Sequence, residues 1–148
     1  MINRREFIKS SIKSSCVLCA TGLLSQLTSC AAALPTFKTK ITGRSIDVPI
    51  SYFETSDLAI VRDNQAEYDI LLVKKPQDVF EALYMRCTHR ENPLTATQTG
   101  LFCSAHGSAF DLDGQVKKEP AIDPLLKFPV NYDQANGIIS INIQSLKL

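Results

Sequence analysis

A chain of 148 residues, 45% of them apolar, is one domain's worth of sequence with enough hydrophobic material for a core. Its formal charge of +1 is unevenly shared: Arg4, Arg5, Lys9 and Lys13 face only Glu6 through Ser29, while twelve basic and fourteen acidic residues follow from Cys30 onward. No basic stripe is left to neutralise phosphates, which argues against nucleic-acid binding.

The chain opens on a charged stretch with paired arginines, followed by a modest apolar run from Cys16 to Leu24 and a polar, small-residue segment. That run is about half of the ~20 residues a bilayer-spanning helix needs, so it reads as an export signal over residues 1–29. Asn3-Arg4-Arg5-Glu6-Phe7-Ile8-Lys9 resembles the twin-arginine consensus, a route that carries proteins already folded. An ordinary amphipathic N-terminal helix is the alternative. Leu27-Thr28-Ser29-Cys30 resembles a bacterial lipobox, in which cleavage falls before the cysteine and its thiol receives a diacylglyceryl group. Burial in lipid is worth ~0.8 kcal/mol per CH₂, so two or more acyl chains anchor stably where one does not. A chance cysteine near a cleavage site is the alternative. Residues 30–40 then read as a lipid-anchored tether with a reach of at most ~35 Å, although the second half of Ala31 to Lys40 reads equally as a first strand.

Beyond Ile41 the signals are those of strands. Ile46 to Ile50, Leu58 to Val61, Ile70 to Val73 and Val79 to Met85 are short β-prone runs bounded by Asp, Asn, Lys and Pro, a spacing that suggests an all-β sandwich or barrel. Helix is expected only as single turns near Asp78 to Leu83 or Asp123 to Leu126. Tyr68 and Tyr84 read as core or strand-edge residues. At the end, Phe128, Val130 and Tyr132 lead through Asp133 to Gly137 into Ile139, Ile141 and Ile143. Alternation with period two on both sides of an Asn-Gly turn predicts an antiparallel hairpin with one buried face.

Three of the five cysteines, Cys16, Cys19 and Cys30, lie in the leader or at its end. The other two stand in Cys87-Thr88-His89 and Cys103-Ser104-Ala105-His106, which together also use both histidines of the chain. Cys87 and Cys103 can pair with each other, but a histidine beside each makes metal ligation the better reading. Soft sulfur with borderline nitrogen suits zinc or an iron–sulfur centre, whereas magnesium and calcium want oxygen. Structural zinc sites usually draw on paired cysteines and paired histidines, while here each cluster offers one ligand of each type.

This arrangement resembles the Rieske motif, and the likeness continues through His106-Gly107-Ser108-Ala109-Phe110-Asp111, Gly114, Pro120-Ala121, Leu126 and Pro129-Val130, covering roughly Val79 to Ile143. The resemblance implies a Rieske-like antiparallel sandwich or barrel over residues 41–148, with a small subdomain holding one [2Fe–2S] cluster. Cys87 and Cys103 would hold the inner iron, His89 and His106 the outer, more exposed one. Gly107 would sit where a Cβ intrudes on the cluster, and Pro120 would stiffen a third loop that covers it. Ser108 would donate a hydrogen bond to a bridging sulfide.

Departures from the family pattern matter as much. The spacer from Arg90 to Phe102 is thirteen residues, a few shorter than is common. Respiratory Rieske subunits carry an extra cysteine in each loop, joined as a disulfide, where this chain has Asn92 and Ala105. Arg90 replaces the apolar residue those proteins use for docking at a quinol site. Cys87 to Leu94 looks more like the first loop of Rieske oxygenases and their ferredoxins, whereas Gly107-Ser108 resembles the respiratory form. Hydrogen bonds to cluster sulfurs raise the potential within a family range of about −150 to +300 mV. Ser108 supplies one; Phe110 stands where the respiratory proteins have a tyrosine that supplies another, so an intermediate potential is expected.

A Rieske oxygenase also needs a mononuclear iron on two further histidines and a carboxylate, and both histidines here are committed. Asp111, Asp113 and Glu119 read as turn and surface groups, and no catalytic residue is assigned. The resemblance therefore implies a one-electron carrier on the outer side of a bacterial cytoplasmic membrane. Its partners would be electron donor and acceptor proteins, such as cytochromes or a quinol-oxidising complex. The alternatives are the Rieske subunit of a larger oxidoreductase, cytochrome bc-like or arsenite-oxidase-like, and, from another class, a structural zinc-binding lipoprotein module.

Overall fold

The computed structural model describes residues 33–41, 43–64 and 66–144; the expected export signal, the lipobox with Cys30 and the start of the tether lie outside them. Strands β1 (Thr36–Thr39), β2 (Ser45–Pro49), β3 (Leu58–Asp63), β4 (Ile70–Lys75) and β5 (Val79–Tyr84) come first in the chain. Short strands follow: β6 (Thr95–Thr97), β7 (Gly100–Phe102), β8 (Ala109–Phe110) and β9 (Val116–Lys118). The chain closes with β10 (Lys127–Phe128), β11 (Val130–Asp133) and β12 (Ile138–Asn142). They form a five-stranded sheet in the order β1-β3-β4-β5-β10, a three-stranded sheet β11-β12-β2 and a four-stranded sheet β6-β7-β8-β9. The nearly all-β architecture expected from the sequence is what the chain adopts.

The five-stranded sheet is buried on both faces, which explains its continuous apolar runs. Along β4, Ile70 and Leu72 join one core with Ile46, Val48, Ile139 and Ile141 of the three-stranded sheet. Leu71 and Val73 point the other way, into a second core with Leu94, Leu101, Phe110 and both Cys87 and Cys103. A strand sandwiched between two layers has no solvent face to mark with polar residues. β2 and β12, covered on one side only, keep the alternation of buried and exposed positions.

Several local expectations change. Thr36–Thr39 pairs in parallel with β3, so the second half of the stretch read as tether is an ordered first strand. The run from Ile46 does not continue through Ile50, which instead begins a 3₁₀ turn, Ile50–Phe53. The turn expected within Asp78 to Leu83 lies earlier, at Pro76–Asp78, and Asp123 to Leu126 forms no helical turn. The closing hairpin is also divided: Phe128 pairs with Ala82 in the five-stranded sheet, whereas Val130 pairs with Ile141 in the three-stranded one. Pro129 stands at the crossing, where its missing N–H costs neither ladder a bond.

Candidate metal centre

Two loops of six residues, closed in the same way, carry the four expected ligands. In the first, following β5, the Cys87 N–H donates to the Asn92 carbonyl at 2.8 Å and the Glu91 N–H to the Cys87 carbonyl at 2.8 Å. In the second, between β7 and β8, the Cys103 N–H donates to the Ser108 carbonyl at 2.9 Å and the Gly107 N–H to the Cys103 carbonyl at 2.9 Å. The fifth residue of each is left-handed, Glu91 at φ 53 and Gly107 at φ 83. Among protein atoms, a Cβ added to Gly107 would meet only the Lys118 Nζ, at 4.0 Å. The positive φ is what favours glycine there.

The loops place Cys87 and Cys103 in the second core and bring the His89 and His106 rings together. Cys87 and Cys103 are free thiols with no exposed surface. His89 is half-buried and His106 exposed, with their rings edge to face and centroids 4.9 Å apart. His89 Nδ1 is buried and has no hydrogen-bond partner. A buried imidazole nitrogen without a partner is costly unless something else occupies its lone pair.

The third loop is tied to both ligand loops. The Thr88 hydroxyl donates to the Asp123 carbonyl at 2.7 Å, and the fully buried Ser108 Oγ accepts from the Ala121 N–H at 3.1 Å. Ala121 is 1% exposed in the core that holds both cysteines. Gly114, left-handed at φ 72, accepts the Leu125 N–H at 2.8 Å; a Cβ on it would lie 3.1 Å from a Leu83 methyl. Phe110 is buried in the same core as the cysteines, and Arg90 is exposed.

The carboxylates take up the turn and surface positions expected of them. Asp111 Oδ1 accepts the Asp113 and Gln115 N–H groups, and Asp113 pairs with Lys75 at 2.6 Å. Asn92 donates from Nδ2 to the Arg90 carbonyl at 3.0 Å. Tyr84 is a core residue as anticipated, but Tyr68 is more than that, since its hydroxyl lies within hydrogen-bonding distance of the Glu91 carbonyl of the first ligand loop as well as of Glu67 Oε1 at 2.9 Å, with one proton to give between them. Arg86 forms an ion pair with the Glu91 carboxylate. Burial, and secondarily the Glu67 carboxylate, pushes the Tyr68 phenol above its ordinary pKa, keeping it a proton donor. These ties went unread because Tyr68 and Glu91 lie 23 positions apart with no shared motif.

Comparison with known proteins agrees with this geometry. The family model for the Rieske [2Fe-2S] domain matches residues 48–129, more than half of the chain and all of both ligand loops. Among solved structures, the cyanobacterial plasma membrane Rieske protein PetC3 from Synechocystis PCC 6803 superposes with a TM-score of 0.55 at 19% identity, covering 66% of this chain and 98% of that one. A quaternary ammonium Rieske monooxygenase gives 0.55 at 21% identity over 71% of this chain and 32% of its own. Naphthalene 1,2-dioxygenase gives 0.53 at 16% identity over 70% of this chain and 27% of its own. At such identities the structural likeness speaks for the fold, and the oxygenases share only about a third of their length or less with this chain. No curated protein matches the sequence. Two matching loops, one following the five-stranded sheet and one within the four-stranded sheet, both spanned by the family model, place the chain in the Rieske [2Fe-2S] domain family, as an electron-transfer protein that carries one such cluster.

Proposed function

We propose that Cys87 and Cys103 hold the inner iron and that His89 and His106 hold the outer one, His89 through Nδ1. The donor chemistry fits. The buried thiols lie in an apolar core, the imidazoles lie toward solvent, and the partnerless His89 Nδ1 is the observation that carries the assignment. Each loop offers one thiol and one imidazole, and the family model spans both loops, which favours the cluster over a structural zinc site built from paired cysteines and paired histidines.

When bound, the cluster supplies one-electron redox chemistry. The chain does the rest: its second core excludes water from the thiolates, and the exposed His106 edge gives a partner the shortest approach. Ser108 already accepts the Ala121 N–H on Oγ, so its own O–H is left to donate toward the cluster sulfurs. Phe110 contributes no second donor of that kind, which supports an intermediate potential.

The working location we propose is the outer side of a bacterial cytoplasmic membrane, reached by a twin-arginine signal and kept there by lipid on Cys30. Its support is the residue pattern at Arg4, Arg5 and Cys30. No helix among the described residues is long and apolar enough to cross a membrane. A second reading, the Rieske subunit of a larger cytochrome bc-like or arsenite-oxidase-like oxidoreductase, differs in having a lasting interface where the carrier has transient ones.

Iron and acid-labile sulfide analysis, with the visible spectrum of the oxidised protein, tests the centre. Two irons and two sulfides per chain are expected for a [2Fe–2S] cluster, and one zinc without sulfide would end the reading. Cys30→Ser tests the anchor: the protein should move to the soluble periplasmic fraction, and continued firm membrane attachment would refute lipidation.

A further inference from the structure

The two ligand loops meet the same backbone demand with different residues. The fifth position is left-handed in both, yet the second loop fills it with Gly107 and the first with Glu91. A residue with a Cβ is disfavoured in that conformation, and persists there when its surroundings hold it. Glu91 is held from two sides. The Tyr68 hydroxyl lies within hydrogen-bonding distance of its carbonyl, and the Arg86 guanidinium binds its carboxylate.

Both holders are themselves fixed. The Tyr68 ring packs edge to face on Tyr84 with centroids 5.4 Å apart, and Tyr84 does the same on Phe128 at 5.5 Å, so the hydroxyl is braced against the first core. The β3–β4 turn that carries Tyr68 is fastened by Arg62 to Asp69 and by the Met85 N–H to the Asp69 carbonyl at 2.9 Å. Arg86 bridges across the loop's base to Pro93. Among the described residues Cys87 and Cys103 are free thiols, so no disulfide there ties the two ligand loops together.

Resting on the ligand assignment above, we infer that Tyr68 and Arg86 are positioning residues for the cluster. By gripping Glu91 they keep the first loop in the shape that presents His89, two residues earlier, to the outer iron. Loop 2 needs no such grip because Gly107 adopts the same conformation freely. The inference has a sharp consequence: if the grip exists to hold a non-glycine residue left-handed, replacing that residue with glycine makes the grip dispensable.

The test uses the full-length, cluster-loaded protein and follows cluster loss by visible absorbance, with the EPR spectrum of the reduced protein as a second readout. Tyr68→Phe and Arg86→Met should each lose the cluster about fivefold faster than wild type, the scale expected for one lost hydrogen bond, and should shift or broaden the EPR signal. Glu91→Gly alone should lose it no faster than wild type. Adding Tyr68→Phe or Arg86→Met to Glu91→Gly should then change neither readout. Wild-type kinetics and spectrum in both single variants would overturn the inference, as would single-variant losses that Glu91→Gly fails to rescue, or a Glu91→Gly protein that sheds its cluster quickly. Wild-type protein that never assembles a cluster would instead overturn the ligand assignment beneath it.

Discussion

At the scale of single residues, the centre depends on which groups can still donate once the fold has used them. Ser108 has no exposed surface and its Oγ is the acceptor for the Ala121 N–H. Ser108→Ala removes the acceptor of a buried backbone N–H and, on the proposed assignment, a donor toward the cluster sulfurs as well. The midpoint potential should fall, and stability should drop by about 1–3 kcal/mol, the cost of an unsatisfied buried donor. Redox titration and urea unfolding read the two effects separately. Phe110 offers the opposite change, since it is 2% exposed beside both cysteines. Phe110→Tyr should raise the midpoint potential, and an unchanged or lowered value would contradict this account of the donors around the cluster. At Gly107, alanine would meet no protein atom closer than the Lys118 Nζ at 4.0 Å. Its φ of 83 should nonetheless make Gly107→Ala cost about 1–2 kcal/mol.

At the scale of elements, the ligand loops are only as well placed as the strands beneath them. Lys75 at the end of β4 reaches across to the turn between β8 and β9, donating to Asp113 at 2.6 Å and to the Leu112 carbonyl at 3.2 Å. The hydrogen bond from Lys75, and then its charge, holds the Asp113 carboxyl below its ordinary value of 3.8. A carboxyl whose folded pKa lies below the unfolded one stabilises the fold above the unfolded value, and that contribution is lost as the pH falls through the folded one. Asp113→Asn should thus lower the urea midpoint slightly at pH 7, and the gap to wild type should close as the pH drops below 3.8. A gap constant down to the lowest pH would contradict the pairing. The long strands were readable in the sequence because β4 opens on an uninterrupted apolar run, β5 is apolar except at Glu81, and β12 alternates. β6, β7, β8 and β9 escaped notice: each is two or three residues long, too short for any period to show. The switch of sheets at Pro129 was hidden for a different reason, since Phe128 and Val130 keep the alternation while changing the partner strand.

For the whole molecule, the two cores divide the work. One, built on Val48, Ile139 and Ile141, contains no expected ligand, while the other contains both cysteines and the small four-stranded sheet. Removing the cluster should therefore raise amide exchange in β6 to β9 on the order of tenfold or more, with β2, β11 and β12 still protected. Uniform loss of protection would show that the cores do not separate. The four proposed ligand positions stand out in the sequence because they take both histidines and the only cysteines beyond Cys30. The supporting grip was not legible, because Tyr68 and Arg86 act on Glu91 through folded geometry alone. That sparing use of histidine also provides the most direct measurement of the central claim. With only two histidines in the chain, ¹⁵N-histidine labelling of the untagged, reduced protein marks His89 and His106 and nothing else. Electron–nuclear double resonance should then detect hyperfine coupling from two histidine nitrogens on one cluster. Coupling from one nitrogen, or from none, would contradict the assignment.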